Sequence, residues 1–211
     1  MSKFSLNCRR CPRLAAHLDQ VRAEYPDYHA RPVASFGDPE ARLLIVGLAP
    51  GMHGANATGR PFTGDYAGIL LYQTLYRHGF ANCPESTSAD DGLRLLDCRI
   101  TNAVRCLPPQ NKPETAEVNL CNDFLREEMA RLQPESVVIA LGTIAHRAVL
   151  RARGLRPVDF AFSHDAAHRI DGLHLIDSYH CSRYNTQTRR LTESMFNDVF
   201  RRAADLLAST A

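Results

Sequence analysis

Four consecutive apolar residues, Leu43, Leu44, Ile45 and Val46, run straight into a stretch of glycines and prolines, GLAPGMHGANATGRPFTGD at positions 47–65. A short unbroken apolar run bounded by turn formers reads as a strand buried on both faces. Gly47, Pro50, Gly51, Gly54, Gly59, Pro61 and Gly64 then specify a shaped loop of the kind that lets a ligand approach the backbone closely. In an open α/β sheet that is where ligands bind, beyond the carboxyl ends of the strands. Phe62 offers the loop a flat apolar surface, and Asp65 a carboxylate where the next helix begins. The plain alternative is a hydrophobic plug and an N-cap. The loop contains neither GxxxxGK[ST] nor GxGxxG, so no nucleotide cofactor is expected.

Strand-like and helix-like segments alternate on either side of it. Residues 12–25 place Leu14, Ala15, Leu18 and Val21 on one helical face, with Pro12 in the first turn. The first core strand is predicted at 42–48 and a helix at Ala67–Gly79, followed by a Ser/Asp-rich surface excursion over 80–92. A second strand is predicted at Cys98–Val104, then an irregular segment Arg105–Pro113 holding three prolines. The helix Thr115–Leu132, the buried strand Val137–Leu141, a helix over 144–153, the strand Leu173–Asp177 and a helix from about Thr192 complete the pattern. Such alternation argues for an α/β chain with a parallel sheet covered by helices on both faces. Residues 1–211 read as one domain.

Composition narrows the partners. The formal charge of +2 does not by itself announce a nucleic acid. Of 25 basic residues, however, only Lys3 and Lys112 are lysines; arginine forks grip phosphates in two-pronged fashion, and a GC-rich genome would give the same bias. No apolar run is long enough to span a bilayer, and MSKFSLNCRRC has no signal core, so a cytoplasmic protein with no membrane partner is expected.

Seven cysteines, an odd number, argue against a disulfide framework. Cys8 and Cys11 form a C-x-x-C; Cys106 lies in the proline-rich segment and Cys121 in the helix after it. Four thiolates can hold a structural zinc or an iron–sulfur cluster. The wide gap between Cys106 and Cys121 favours the cluster over a zinc knuckle. Cys98 reads as core and Cys83 as incidental.

A second polar constellation, SYHCSRYNTQTRRLT at 178–192, follows the last strand as the Gly-rich loop follows the first, so both should open on the same sheet edge. It carries hydroxyl, amide and guanidinium groups and no acid, which suits phosphate oxygens and base edges as well as a merely solvated loop. Thr101–Asn102 ends the second strand. A buried amide there needs partners and can pair two-pronged with a nucleobase edge, or bond neighbouring backbone.

These motifs, 47–65, TNAVRC at 101–106 and 178–192, with Cys8, Cys11, Cys106 and Cys121 in order, resemble the uracil-DNA glycosylase superfamily, most closely its family 5, over nearly the whole chain. The resemblance implies a three-layer α/β/α sandwich around a four-stranded parallel sheet. It also implies a structural 4Fe-4S cluster on the four cysteines that packs the N-terminal segment against the sheet. It implies a base pocket lined by Gly47, Ala49, Gly51 and Phe62, with Phe62 stacking on the extruded base. Asn102 would read the base edge, His180 would stabilise the departing base and Asp65 would handle the water. The 181–190 loop, with Ser182, Arg183, Tyr184, Asn185, Gln187 and Arg190, would enter the duplex.

The implied activity is hydrolysis of the N-glycosidic bond of uracil, and also of hypoxanthine, xanthine and some adducts, in double-stranded DNA or single strands, by a monomer. A family-4-like enzyme confined to uracil and a damaged-DNA binder that does not cut are the alternatives. The chain departs from the superfamily pattern in three places. Residues 51–55 offer no carboxylate, Cys181 replaces the proline of HPS, and Arg189 stands where a glycine is expected.

Overall fold

In the computed structural model, which describes residues 4–209, the sheet has six strands: β1 (Phe36–Gly37), β2 (Leu43–Gly47), β3 (Cys98–Asn102), β4 (Val137–Leu141), β5 (Ala167–Ile170) and β6 (Leu173–Ser178). They stand in the order β1-β3-β2-β4-β6-β5. The inner four are mutually parallel, as the alternation of elements demands. The expectation of a four-stranded parallel sheet is therefore corrected to a mixed sheet, with the short β1 and the exposed β5 added antiparallel at its edges.

Helices cover both faces. The helices are α1 (Pro12–Glu24), α2 (Ala55–Thr58), α3 (Tyr66–Arg77), α4 (Thr115–Met129), α5 (Thr143–Ala152), α6 (Arg183–Gln187) and α7 (Glu193–Ala208). Alternate residues of the buried strands feed the two sides. Leu44, Val46, Val138 and Ala140 pack with α1, α4 and α5. Leu43, Ile45, Val137 and Ile139 pack with α3 and α7. In α7 the core residues Phe196, Val199, Phe200, Ala203 and Leu207 recur at helical spacing. The Thr192 hydroxyl caps it by accepting from the Met195 N–H at 3.2 Å.

The β2–β3 connection runs through α3 on one face and the β4–β6 connection through α5 on the other. The strand order thus reverses at β2, which opens a crevice at the carboxyl edge. Among the described residues no helix is long and apolar enough to cross a membrane.

Buried charges fix the elements to one another. Glu128 of α4 accepts from Arg105 at 2.8 Å, from Arg99 at 3.1 Å and from the Ser35 hydroxyl. Burial opposes its charge, but Arg105, Ser35 and Arg99 outweigh it and hold the carboxyl below its usual range. On the other side of the sheet's midline, fully buried Asp177 accepts from His146 Nδ1 at 2.7 Å and His168 Nε2 at 3.3 Å, tying α5 and β5 to β6. The N-terminal segment docks on α4 through the Phe4–Phe124 edge contact at 5.5 Å, Arg10–Asp123 at 2.6 Å and Arg13–Glu117 at 2.8 Å.

Removing the Glu128 charge leaves Arg105, which is 3% exposed, buried without its counter-ion. Glu128→Gln should cost about 3–5 kcal/mol in denaturant unfolding. Because the folded carboxyl titrates below its unfolded value, its contribution is present at neutral pH and lost as pH falls through the folded pKa. The acid-side slope of stability should accordingly be shallower in the variant.

Candidate active site

The β2–β3 register pairs Gly47 with Asn102, so the ends of both strands meet at one point of the carboxyl edge. A cavity of about 580 Å³ opens there. Its walls include Ala49, Gly51, Phe62, Asp65, Asn102 and His180, with Ser182 and Arg183 at one side. The chain thus brings together residues as far apart as Ala49 and Arg183. Gly47 is not in the wall: it lies behind Asn102 and Phe62. Tyr184, Asn185, Gln187 and Arg190 lie outside the cavity.

The glycines of the loop make room for the chain's own side chains. A Cβ at Gly47 would stand 2.4 Å from Asn102 Oδ1 and 2.7 Å from the Phe62 ring. A Cβ at Gly54 would stand 2.5 Å from Asp65 Oδ2, and one at Gly51 3.2 Å from the same atom. Gly68, in the first turn of α3, admits the carbonyl of Phe62, which would lie 1.7 Å from a Cβ there. Phe62 itself has φ of +55°, a conformation that a bulky residue holds only when its surroundings force it.

Those surroundings are specific. Arg60, 5% exposed, donates to Thr63 Oγ1 at 3.0 Å and Ser86 Oγ at 2.9 Å, and pairs with Asp91 at 2.5 Å. Its guanidinium also lies 4.8 Å from the Phe36 ring centroid. The Tyr72 hydroxyl donates to the Pro61 carbonyl at 2.6 Å. The excursion after α3 is therefore the clamp on the Phe62 turn.

Asp65 is both an N-cap and part of the cavity wall. One carboxylate oxygen accepts from the Gly68 N–H at 3.1 Å, while Oδ2 lies on the side of Gly51 and Gly54. Burial pushes its carboxyl above the usual range, against the Gly68 and Ala67 N–H groups. His180 stacks on Phe62, ring centroids 5.9 Å apart at 26°. Its burial lowers the imidazole pKa to about 4, so the ring is neutral at physiological pH. The Asn185 side chain donates to the His180 carbonyl at 2.8 Å, turning inward. Asn102 is 4% exposed and its Oδ1 has no hydrogen-bond partner. Cys181 is fully buried in the core under α3 and α7.

Two wall residues escape a reading of the sequence. His53 faces the cavity with its Nδ1 2.9 Å from the Tyr28 hydroxyl. Asn111 reaches the cavity from a turn in which Gln110 and Asn111 have φ of +54° and +57°. The signals for them were faint: His53 is the one imidazole in the Gly-rich loop, and asparagine is among the residues that tolerate this backbone.

Across the sheet, Cys8, Cys11, Cys106 and Cys121 converge on one small, otherwise largely apolar cavity with Leu14, Val104 and Phe124. All four are free thiols. Burial raises the Cys106 thiol and lifts that of Cys121 to about 11. Four thiols lining one small cavity, with the Arg105 N–H donating to Cys121 Sγ at 3.3 Å, offer the all-cysteine donor set that an iron–sulfur cluster takes.

The sequence matches the family described as the Uracil DNA glycosylase superfamily over residues 34–204. It is 48% identical to the type-5 uracil-DNA glycosylase of Thermus thermophilus, across 94% of this chain and 93% of that protein. It is 44% identical to the type-5 enzymes of Pyrobaculum aerophilum, across 94% and 88%, and of Mycobacterium leprae, across 94% and 91%.

Substituting Gly54 tests the packing of the cavity. Gly54→Ala must displace Asp65, and misplacement by about 1 Å can cost about 10²-fold in rate. Single-turnover cleavage of a uracil-containing duplex should fall by that order. A variant as active as the wild type would show that the position of Asp65 does not matter. The match over residues 34–204 and the 48% identity across 94% of the chain show that the chain belongs to the uracil-DNA glycosylase superfamily.

Proposed function

We propose that this chain excises uracil and other deaminated bases, hypoxanthine and xanthine among them, after they leave the DNA stack and enter the cavity beside Asn102. Membership of the superfamily makes it a hydrolase of N-glycosyl bonds. The observation that carries the wider substrate range is the orphaned Oδ1 of Asn102. A buried carbonyl without a partner is costly, and Asn102 lines the cavity, so rotation of its amide toward a bound base would give that oxygen a donor. There it accepts an N–H. Uracil and hypoxanthine carry a ring N–H where their parents cytosine and adenine carry a bare acceptor nitrogen, so one amide tells these two deaminated bases from their parents; xanthine makes the same contact, but guanine shares its ring N–H and is excluded by other means. The absence of a carboxylate at residues 51–55 fits the same breadth, since it places more of the rate on stabilising the departing base.

Cleavage builds positive charge on the deoxyribose and negative charge on the base. Asp65, held at the wall by the α3 N-terminus, stabilises the first and orients water. Neutral His180 donates an N–H to a base oxygen, and backbone N–H groups of the Gly-rich loop add to that stabilisation. Phe62 is the stacking surface. Ser182, Arg183, Tyr184, Gln187 and Arg190, on and around α6, form the wedge that holds the duplex. Asn185 acts instead by fixing His180. Tyr184, 71% exposed, is the apolar tip.

The four cysteines fit a 4Fe-4S cluster, which when bound supplies a cross-link between the N-terminal segment, the loop after β3 and α4. Phe4 and Arg10 already line that cavity, so the cluster completes a docking begun by protein contacts.

Asp65→Asn and His180→Ala should each lower single-turnover cleavage by about 10²–10³-fold. Protonation removes the Asp65 charge, whose pKa burial raises, whereas His180 donates an N–H in either protonation state, so the wild-type acid limb of kcat/KM should vanish in Asp65→Asn and persist in His180→Gln. A limb that survives in Asp65→Asn removes Asp65 from the chemistry. Purified protein should be brown with iron and acid-labile sulfide in equal amounts, and Cys106→Ser should lose both. A colourless, zinc-loaded protein would decide for the zinc site.

A further inference from the structure

A second groove opens beside the base cavity. It encloses about 530 Å³ and is lined by Tyr66, Ile69 and Leu70 of α3 and by Thr186, Arg189 and Leu191 around α6. Tyr66 belongs to both walls, so the two spaces adjoin. Tyr66 and Ile69 are 43% and 56% exposed, a rare apolar step on this surface. The Arg183 guanidinium lies 6.0 Å from the Tyr66 ring centroid, over its face.

Arg189 is the unusual member. Its φ is +57°, which glycine adopts freely and arginine only under constraint. Among the described residues its guanidinium has no ion pair or hydrogen bond, and it is exposed at the groove. The groove's carboxylate, Glu193, is already matched to Arg77 at 2.8 Å. An uncommitted cation beside an apolar aromatic platform, one step from a base cavity, has the chemistry of a phosphate next to a stacked base.

We propose that this groove holds the nucleotide adjacent to the extruded one on the same strand, its base on Tyr66 and Ile69 and its phosphate on Arg189. The proposal rests on the base-excision reading above and adds a flanking subsite to it. The strained backbone of Arg189 is then a functional choice: a glycine there would relax the turn and lose the phosphate contact.

The probe is a duplex carrying a non-cleavable 2′-fluoro-deoxyuridine with 2-aminopurine next to it, and wild-type cleavage of the ordinary uracil duplex is measured alongside. Arg189→Gly should melt at or above the wild-type temperature, which shows it folded, yet reduce the slope of log Kd against log salt by about one. Tyr66→Ala should weaken binding by about 5-fold or more and abolish the stacking quench of 2-aminopurine. If the wild type cleaves but Arg189→Gly keeps the full salt slope, or the quench survives in Tyr66→Ala, the groove is not a DNA subsite. If the wild type does not cleave, the base-excision reading falls and this one with it.

Discussion

The site depends on hydrogen atoms standing where side chains would otherwise be. Asn102 and Phe62 occupy the volume beside Gly47, and Asp65 fills the space beside Gly51 and Gly54. The Phe62 carbonyl enters the first turn of α3 only because position 68 has no Cβ. The parallel register sets Asn102 against Gly47, and every other wall group is placed relative to that pair. Close packing of this sort leaves little room for adjustment, since a core transmits displacement rather than absorbing it.

Buried ion pairs hold the loops that the glycines shape. Arg60 and Asp91 clamp the turn at Phe62 from outside the site, and Glu128 with Arg99 and Arg105 fixes the segment after β3. Neither arrangement lines the cavity at the carboxyl edge. Such pairs add little net stability over an apolar replacement, but breaking one leaves an uncompensated charge. Their effect is to make one loop conformation much better than its competitors, including the left-handed backbone at Phe62. The neutral state of His180 comes from packing as well: burial, with its ring stacked on Phe62, lowers its pKa.

Much of the architecture was legible because its strands and helices are driven by local pattern. The two central strands, β2 and β4, are buried on both faces and spell that out as apolar runs, and α7 shows its core face at helical spacing. β1 and β5 were not legible. The first is two residues long, the second shows only one buried position, and both exist because a neighbouring strand offers unpaired backbone. The clamp of Arg60 on Asp91, the tie from Tyr28 to His53 and the inward turn of Asn185 were equally silent. Each joins groups whose meeting is decided by packing, and none leaves a periodicity.

The Gly-rich loop marks the boundary between the two kinds of information. From sequence alone its place after a buried strand, the residues that could do chemistry and the company of four cysteines were all determined, because they follow from residue type and order. What only the tertiary structure decided is the use of the glycines. They read as room for a ligand and prove to be room for Asp65, Asn102 and Phe62, since which atoms approach a bare Cα depends on strand register and helix placement.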